Sequence, residues 1–197
     1  MMNPLTPLSE LAQVCTIYGS GSAFHNLKHI TNRTRSIYFA LRDVRVIDVD
    51  QVTEDKWKVR LMLNDDHVKY INAFENNIKN TILDTKLGNT FMSSDLVEKI
   101  TSAIQQPTNQ FSTTLVRGAC TIFTKSENEN EAGPKEALFQ DWRTLLRGGL
   151  NLEYVIIEPF KLWFLNDNGS ITYRIRNMTI RTDHSARSKS YAFEDDD

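Results

Sequence analysis

Residues 150–181 read LNLEYVIIEPFKLWFLNDNGSITYRIRNMTIR, and the fold turns on how they are parsed. Two runs rich in β-branched and aromatic residues flank Asn166-Asp167-Asn168-Gly169, a polar, glycine-ending tetrad of the kind that closes a hairpin. On the second run Thr172, Arg174 and Arg176 alternate with Ile171, Tyr173 and Ile175. A strand with that alternation buries one face and presents cations on the other, spaced by roughly 7 Å at two residues' rise.

Upstream, KWKVRLML (56–63) repeats the pattern. Trp57, Val59, Leu61 and Leu63 share a face that reads as core, whereas Lys56, Lys58, Arg60 and Met62 share the other. RSIYFALRDVRVIDVD (35–50) precedes it as a strand long enough to bend, and FSTTLVRGACTIFTK (111–125) follows as another, with a bulge or bend expected at Gly118. Between them two helices are expected. Val68, Ile71, Phe74 or Glu75, Ile78 and Ile82 recur at helical steps behind a cap at Asn64 or Asp65. SSDLVEKITSAI (93–104) reads as the second, capped by Ser93 or Ser94, with Pro107 closing it. SENENEAGPKEA (126–137) is a surface loop, and LFQDWRTLLRGG (138–149) holds a turn or two of helix before its glycines.

The order predicts a mainly β chain with a helical insertion (α+β), specifically an OB-fold, a five-stranded Greek-key barrel. A β-sandwich with a helical insertion is the alternative. Residues 1–34 are expected to form an irregular N-terminal arm, with a short helix near Leu8–Val14. Residues 35–182 make the folded domain, with the insertion at about 65–106, and 183–197 make a flexible acidic tail.

Composition narrows the function classes. The chain has 197 residues, 40% hydrophobic and 10% aromatic, enough for a real core. Its formal net charge is −2, but Glu194, Asp195, Asp196 and Asp197 are four acids without a neighbouring cation; removing those four charges turns −2 into +2 for the body. The start lacks a basic segment followed by an apolar run, so no signal peptide is expected, and no apolar stretch is long enough for a membrane span. An intracellular location follows as an expectation. Cys15 and Cys120 are far apart and are expected to be reduced and packed.

Enzyme signatures are missing. The sequence contains no GxxxxGK[ST], GxGxxG after a strand, GxSxG or HExxH. His25 and His29 lie four apart without a third ligand nearby, so no metal, cofactor or catalytic residue is expected. The charged and aromatic residues say more. An unpaired nucleic-acid strand needs cations to follow its phosphates and flat side chains on which bases rest. Lys56, Lys58 and Arg60 on one strand and Arg174 and Arg176 on another supply the cations, with Arg117, Arg143, Arg147 and Lys161 extending the set. Trp163, Phe164, Trp142, Tyr38 and Phe123 are the candidate platforms, while Trp57 is assigned to the core.

With those residues located, the chain resembles the OB-fold single-stranded DNA-binding proteins of tailed phages and large DNA viruses. Three stretches carry the resemblance: the closing hairpin, LEYVIIEPFKLWFLNDNGSITYRIRNMTI; the insertion, VKYINAFENNIKNTILDTK followed by FMSSDLVEKITSAI; and the tail, YAFEDDD. In phage members the tail often ends on the aromatic itself, whereas here Phe193 precedes four acids. The resemblance implies non-sequence-specific coating of single-stranded DNA during replication, recombination or repair, without catalysis, at the site of viral or phage DNA replication. It also implies that Phe193, Glu194, Asp195, Asp196 and Asp197 meet replication or recombination proteins, or compete with DNA for the cationic surface. Self-association is left open. The competing class is a viral structural or protein-interaction β-domain that binds no nucleic acid.

Overall fold

The computed structural model describes residues 5–18, 24–29, 35–84, 93–126, 133–165 and 168–182. Both acids and aromatic of the tail, residues 183–197, lie outside that set, as do Asn166 and Asp167 of the hairpin turn.

The closing hairpin forms as its sequence requires: β10 (Asn151–Leu165) and β11 (Asn168–Thr182) pair antiparallel from Leu165↔Asn168 back to Leu152↔Ile180. Upstream, β3 (Phe39–Thr53) pairs antiparallel with β4 (Lys56–Met62), and β4 with β7 (Gln110–Val116). Strand β7 runs parallel to β11, and β10 runs antiparallel to β3. The pairings thus pass from β10 through β3, β4, β7 and β11 and return to β10. Among the described residues the molecule is mostly β with a few helices, built on one large sheet whose five central strands close on themselves.

Alternation decides what the ring encloses. Along β4 Trp57, Val59 and Leu61 are buried, while Lys56, Lys58 and Met62 are exposed. Phe111 and Leu115 on β7, and Ile171, Tyr173 and Ile175 on β11, complete the same interior. Truncating one of these, Leu61 for instance, to alanine should cost about 2–5 kcal/mol, because a packed interior does not close over the void.

Aromatic clusters fill opposite ends of this interior. At the Phe111 end, helix α2 (Asp65–Asp84) presents Ile71, Phe74, Ile78 and Ile82, all fully buried. The Tyr173 ring stands edge-on to Phe39, Phe74 and Phe111 at 6.5, 6.3 and 4.9 Å. Helix α2 starts where expected: the Asn64 side chain accepts from the His67 N–H at 2.8 Å, and Asp65 and Asp66 complement the helix dipole. At the Trp57 end, a 3-10 turn (Phe139–Asp141) and the single-turn helix α4 (Trp142–Leu145) bring Phe139 and Trp142 within 5.9 and 5.8 Å of Trp57. The chain then returns to β10 through Gly148 and Gly149. A Cβ on Gly148 would stand 2.5 Å from the Ile47 carbonyl oxygen, and Gly149 has φ +85°, so both positions require glycine.

Three expectations are corrected. Residues 1–34 are not irregular throughout: beyond a short 3-10 turn (Leu8–Glu10) and helix α1 (Leu11–Val14), β1 (Cys15–Tyr18) and β2 (Phe24–His29) form a hairpin. Strand β2 pairs with β10 over Lys161↔Asn26 to Trp163↔Phe24, so backbone pairing gives this segment its order. The second insertion helix is shorter than its apolar spacing suggests. Helix α3 covers Ser94–Glu98, capped by Ser93, and Ile100 and Ile104 belong to two-residue strands, β5 (Ile100–Thr101) and β6 (Ile104–Gln105). A four-residue interval suits two short strands as well as a helix, and pairing with β11 and β7 decides it. Finally, of the bulge or bend expected at Gly118, the structure has a bend, sharp enough to be a turn with φ +74°, and it ends the strand. The run 111–125 is therefore two strands, β7 and β8 (Thr121–Ser126), and β8 runs parallel to the second half of β11 beside β9 (Lys135–Glu136).

Candidate nucleic-acid interface

Outward side chains of β4, β7, β11 and β10 fall into register. Lys58 lies opposite Thr114, and Thr114 is level with Arg174, so a lysine and an arginine flank a threonine across three neighbouring strands. Adjacent strands are about 4.8 Å apart, which puts the two cationic backbones about 10 Å from each other. One step along the hairpin, Thr172 is opposite Lys161; at the next, Ser170 is opposite Trp163. Lys161 and Trp163 are half-buried and alternate with the buried Leu162 and Phe164, so they share the outer face with Arg174. The Thr114 and Thr172 hydroxyls donate to the carbonyls of Tyr173 and Lys161, each at 3.0 Å, pinning the strands that carry these side chains.

Neighbouring carboxylates sort the cations. The Arg60 guanidinium donates to Asp48 and lies 4.0 Å from Asp50. Its hydrogen bond, followed by its charge, holds the Asp48 carboxyl below the ordinary value. Arg176 donates from Nε to Glu158 Oε2 at 2.7 Å and from a terminal nitrogen to the Ala119 carbonyl at 3.2 Å. Glu158 is only 2% exposed, so Arg176 is the counter-charge of a buried carboxylate. Arg117 pairs with Asp55 at 3.3 Å. Among the described residues Lys56, Lys58 and Arg174 are in no ion pair. The Arg174 guanidinium carbon instead lies 3.6 Å from the centroid of the Phe160 ring, which also has Lys161 Nζ at 4.9 Å. Burial, and then the charge of Arg176, pulls Arg174 below the ordinary arginine value.

Phe160 was not among the residues singled out from the sequence. Register slips between Pro159 and Lys161, and the extra residue of that bulge is Phe160. Pro159 within a strand was the signal, because proline cannot donate to a ladder and is confined to edges and bulges.

The expected platforms divide. Trp163 is half-buried on the cationic face. Trp142 is not an exposed platform: it is 4% exposed, packed on Trp57 and Phe139, and its indole N–H points toward the Ala137 carbonyl at 3.4 Å. Phe164 is buried too, because its ring fills the space over Gly169, where a Cβ would approach it to 2.8 Å. Both belong to the core for the ordinary reason that large rings are the best available filler. Tyr38 is half-buried just before β3, and Phe123 is half-buried on β8, level with Thr179 and away from the Lys58–Arg174 row. Arg143 on α4 and Arg147 after it are exposed at the Trp57 end. The thiol of Cys120 is pushed up to about 12 by burial, so it is protonated at neutral pH and no ready nucleophile.

No family model matches the chain, and no curated protein matches it. Solved structures that it resembles include three of a single-stranded DNA-binding protein from bacteriophage Enc34. The C-terminally truncated form is 13% identical with a TM-score of 0.48, covering 87% of this chain and 97% of that one. The form in complex with single-stranded DNA is 12% identical, TM-score 0.46, covering 85% and 96%. A third structure of that protein is 12% identical, TM-score 0.48, covering 85% and 90%. By name, these structures are of a phage single-stranded DNA-binding protein.

Proposed function

We propose that this chain binds single-stranded DNA without sequence preference, across the outer face of β4, β7, β11 and β10. The ring of pairings is taken as a five-stranded OB barrel of Greek-key order. Lys58, Arg174 and Lys161, with Lys56 at the edge, follow the phosphates, and Trp163 meets the bases. Arg143 and Arg147 extend the basic surface toward the Trp57 end, while Arg60 and Arg176 hold the strands through their carboxylates. In this reading the protein coats single strands during DNA replication, recombination or repair and performs no catalysis. The tail from Phe193 to Asp197 contacts partner proteins or competes with DNA for the face.

One observation carries the reading: Lys58, Thr114 and Arg174 lie in a single row across three strands, with an exposed-side phenylalanine under the arginine. A row of cations around a small polar residue, continued by an outward indole, suits a chain of phosphates with bases turned aside.

Titration with oligo(dT), followed by tryptophan fluorescence at several salt concentrations, tests it. Trp57 and Trp142 are buried, so Trp163 should supply the quenching, and W163F should abolish it. Affinity should fall with salt with a slope of roughly −0.7 per phosphate neutralised. Salt-insensitive binding, or none, would contradict the proposal.

A further inference from the structure

Arg174 is not the only arginine spread on a ring. Arg117, the residue after β7, places its guanidinium carbon 3.8 Å from the centroid of Phe139, against 3.6 Å for Arg174 on Phe160. These are van der Waals distances over the face of the ring, where a planar guanidinium is held flat. Phe139 is itself fixed from behind by Trp57 and Trp142, with centroids at 5.9 and 5.3 Å. Arg117 is also tied to Asp55, which offsets its charge, yet its side chain remains 51% exposed. An arginine whose charge is already answered has little left to give a phosphate. What it still offers is its flat outer surface; Leu138, which precedes Phe139 in the chain, is an apolar side chain 64% exposed.

We infer that Arg117 and Arg174 are two stacking plates for unpaired bases, each a guanidinium backed by a phenylalanine, one at the lip of the barrel and one on its face. The inference rests on the single-strand reading above: it gives Arg117 a base contact in place of the phosphate contact expected from the sequence, and it adds a base contact to the phosphate contact of Arg174, whose charge and plane act separately. Thr114, level with Arg174, and Arg117 are three residues apart, so the plates are separated by about 10 Å along β7. One bound strand can therefore meet both. Guanidinium planes take bases of any identity, because every base has a π-face, so the plates add affinity without adding sequence preference.

Lysine separates the plane from the charge. R117K and R174K keep a cation at each position and remove the flat surface. Each should bind oligo(dT) about tenfold more weakly than the parent chain, with the salt slope unchanged. On an abasic oligomer of the same length, which has the phosphates and no bases, parent and lysine variants should bind alike. Lysine variants that match the parent on oligo(dT), or that lose as much on the abasic oligomer, would overturn the plates while leaving the single-strand reading intact. Failure of the parent chain itself to bind oligo(dT) would remove that reading, and the plates with it.

Discussion

Strands β4 and β11 look alike in sequence and differ in what surrounds them. Each alternates cations with core residues: Lys56, Lys58 and Arg60 against Trp57, Val59 and Leu61; Arg174 and Arg176 against Tyr173 and Ile175. On each, one arginine is bound to a carboxylate of the neighbouring strand and another cation is not. The carboxylates are of different kinds. Asp48, which holds Arg60, is a solvent-facing acid on β3, whereas Glu158, which holds Arg176, is sealed beneath the surface of β10. Alternation thus decides where a side chain points, but its neighbours decide whether its charge is available to a ligand.

The sharpest way to break that comparison is to remove the two bound arginines. R176A would strand the Glu158 carboxylate in the interior and should destabilise the fold by roughly 3 kcal/mol, read as a lower urea midpoint. R60A exposes Asp48 to water that already reaches it, so its midpoint should shift far less. Equal losses would erase the distinction between the strands.

A smaller effect sharpens the comparison on the inner side of β11. Glu75 of α2, 3% exposed, accepts from the Tyr173 hydroxyl at 2.9 Å and from the Ala103 N–H at 3.2 Å. Burial raises its carboxyl above the ordinary 4.5, and the hydrogen bonds only partly counter this. The folded chain therefore keeps a proton that the unfolded chain has released. Stability contributed by that proton is complete below the ordinary value and is lost as pH rises through the raised one. E75Q keeps the acceptor oxygen and cannot titrate. Its stability relative to the parent should improve as pH climbs through this window, and a pH-independent difference between the two would show that Glu75 is not raised.

What the sequence reveals follows from the range over which each signal acts. The hairpin over 150–181, the two faces of β4 and the capped start of α2 rest on neighbours in the chain, and each stands where its pattern puts it. Ile100 and Ile104 were misread because their environment comes from β11 and β7, which no local spacing encodes. The same applies to residues 15–29, whose strands exist through pairing with each other and with β10. At the candidate interface, the outward faces of Lys58 and Arg174 were legible from alternation alone, whereas those of Lys161 and Trp163 follow a register shift after Pro159. Trp142 and Phe164 could not be distinguished from exposed rings, because burial depends on Trp57 and Gly169, far from one and across a turn from the other. The engagement of Arg60 and Arg176 was equally invisible, since their partners lie 12 and 18 residues away.

The claim that most needs testing is that Lys58 and Arg174 form one row beneath one bound strand. Oligo(dT) affinity across a salt series, for the parent chain and for K58A/R174A, measures this directly. The double variant should keep its urea midpoint and lose about 1.4 from the magnitude of the salt slope, two contacts' worth at roughly 0.7 each. An unchanged slope at equal stability would mean that no phosphates lie along that row.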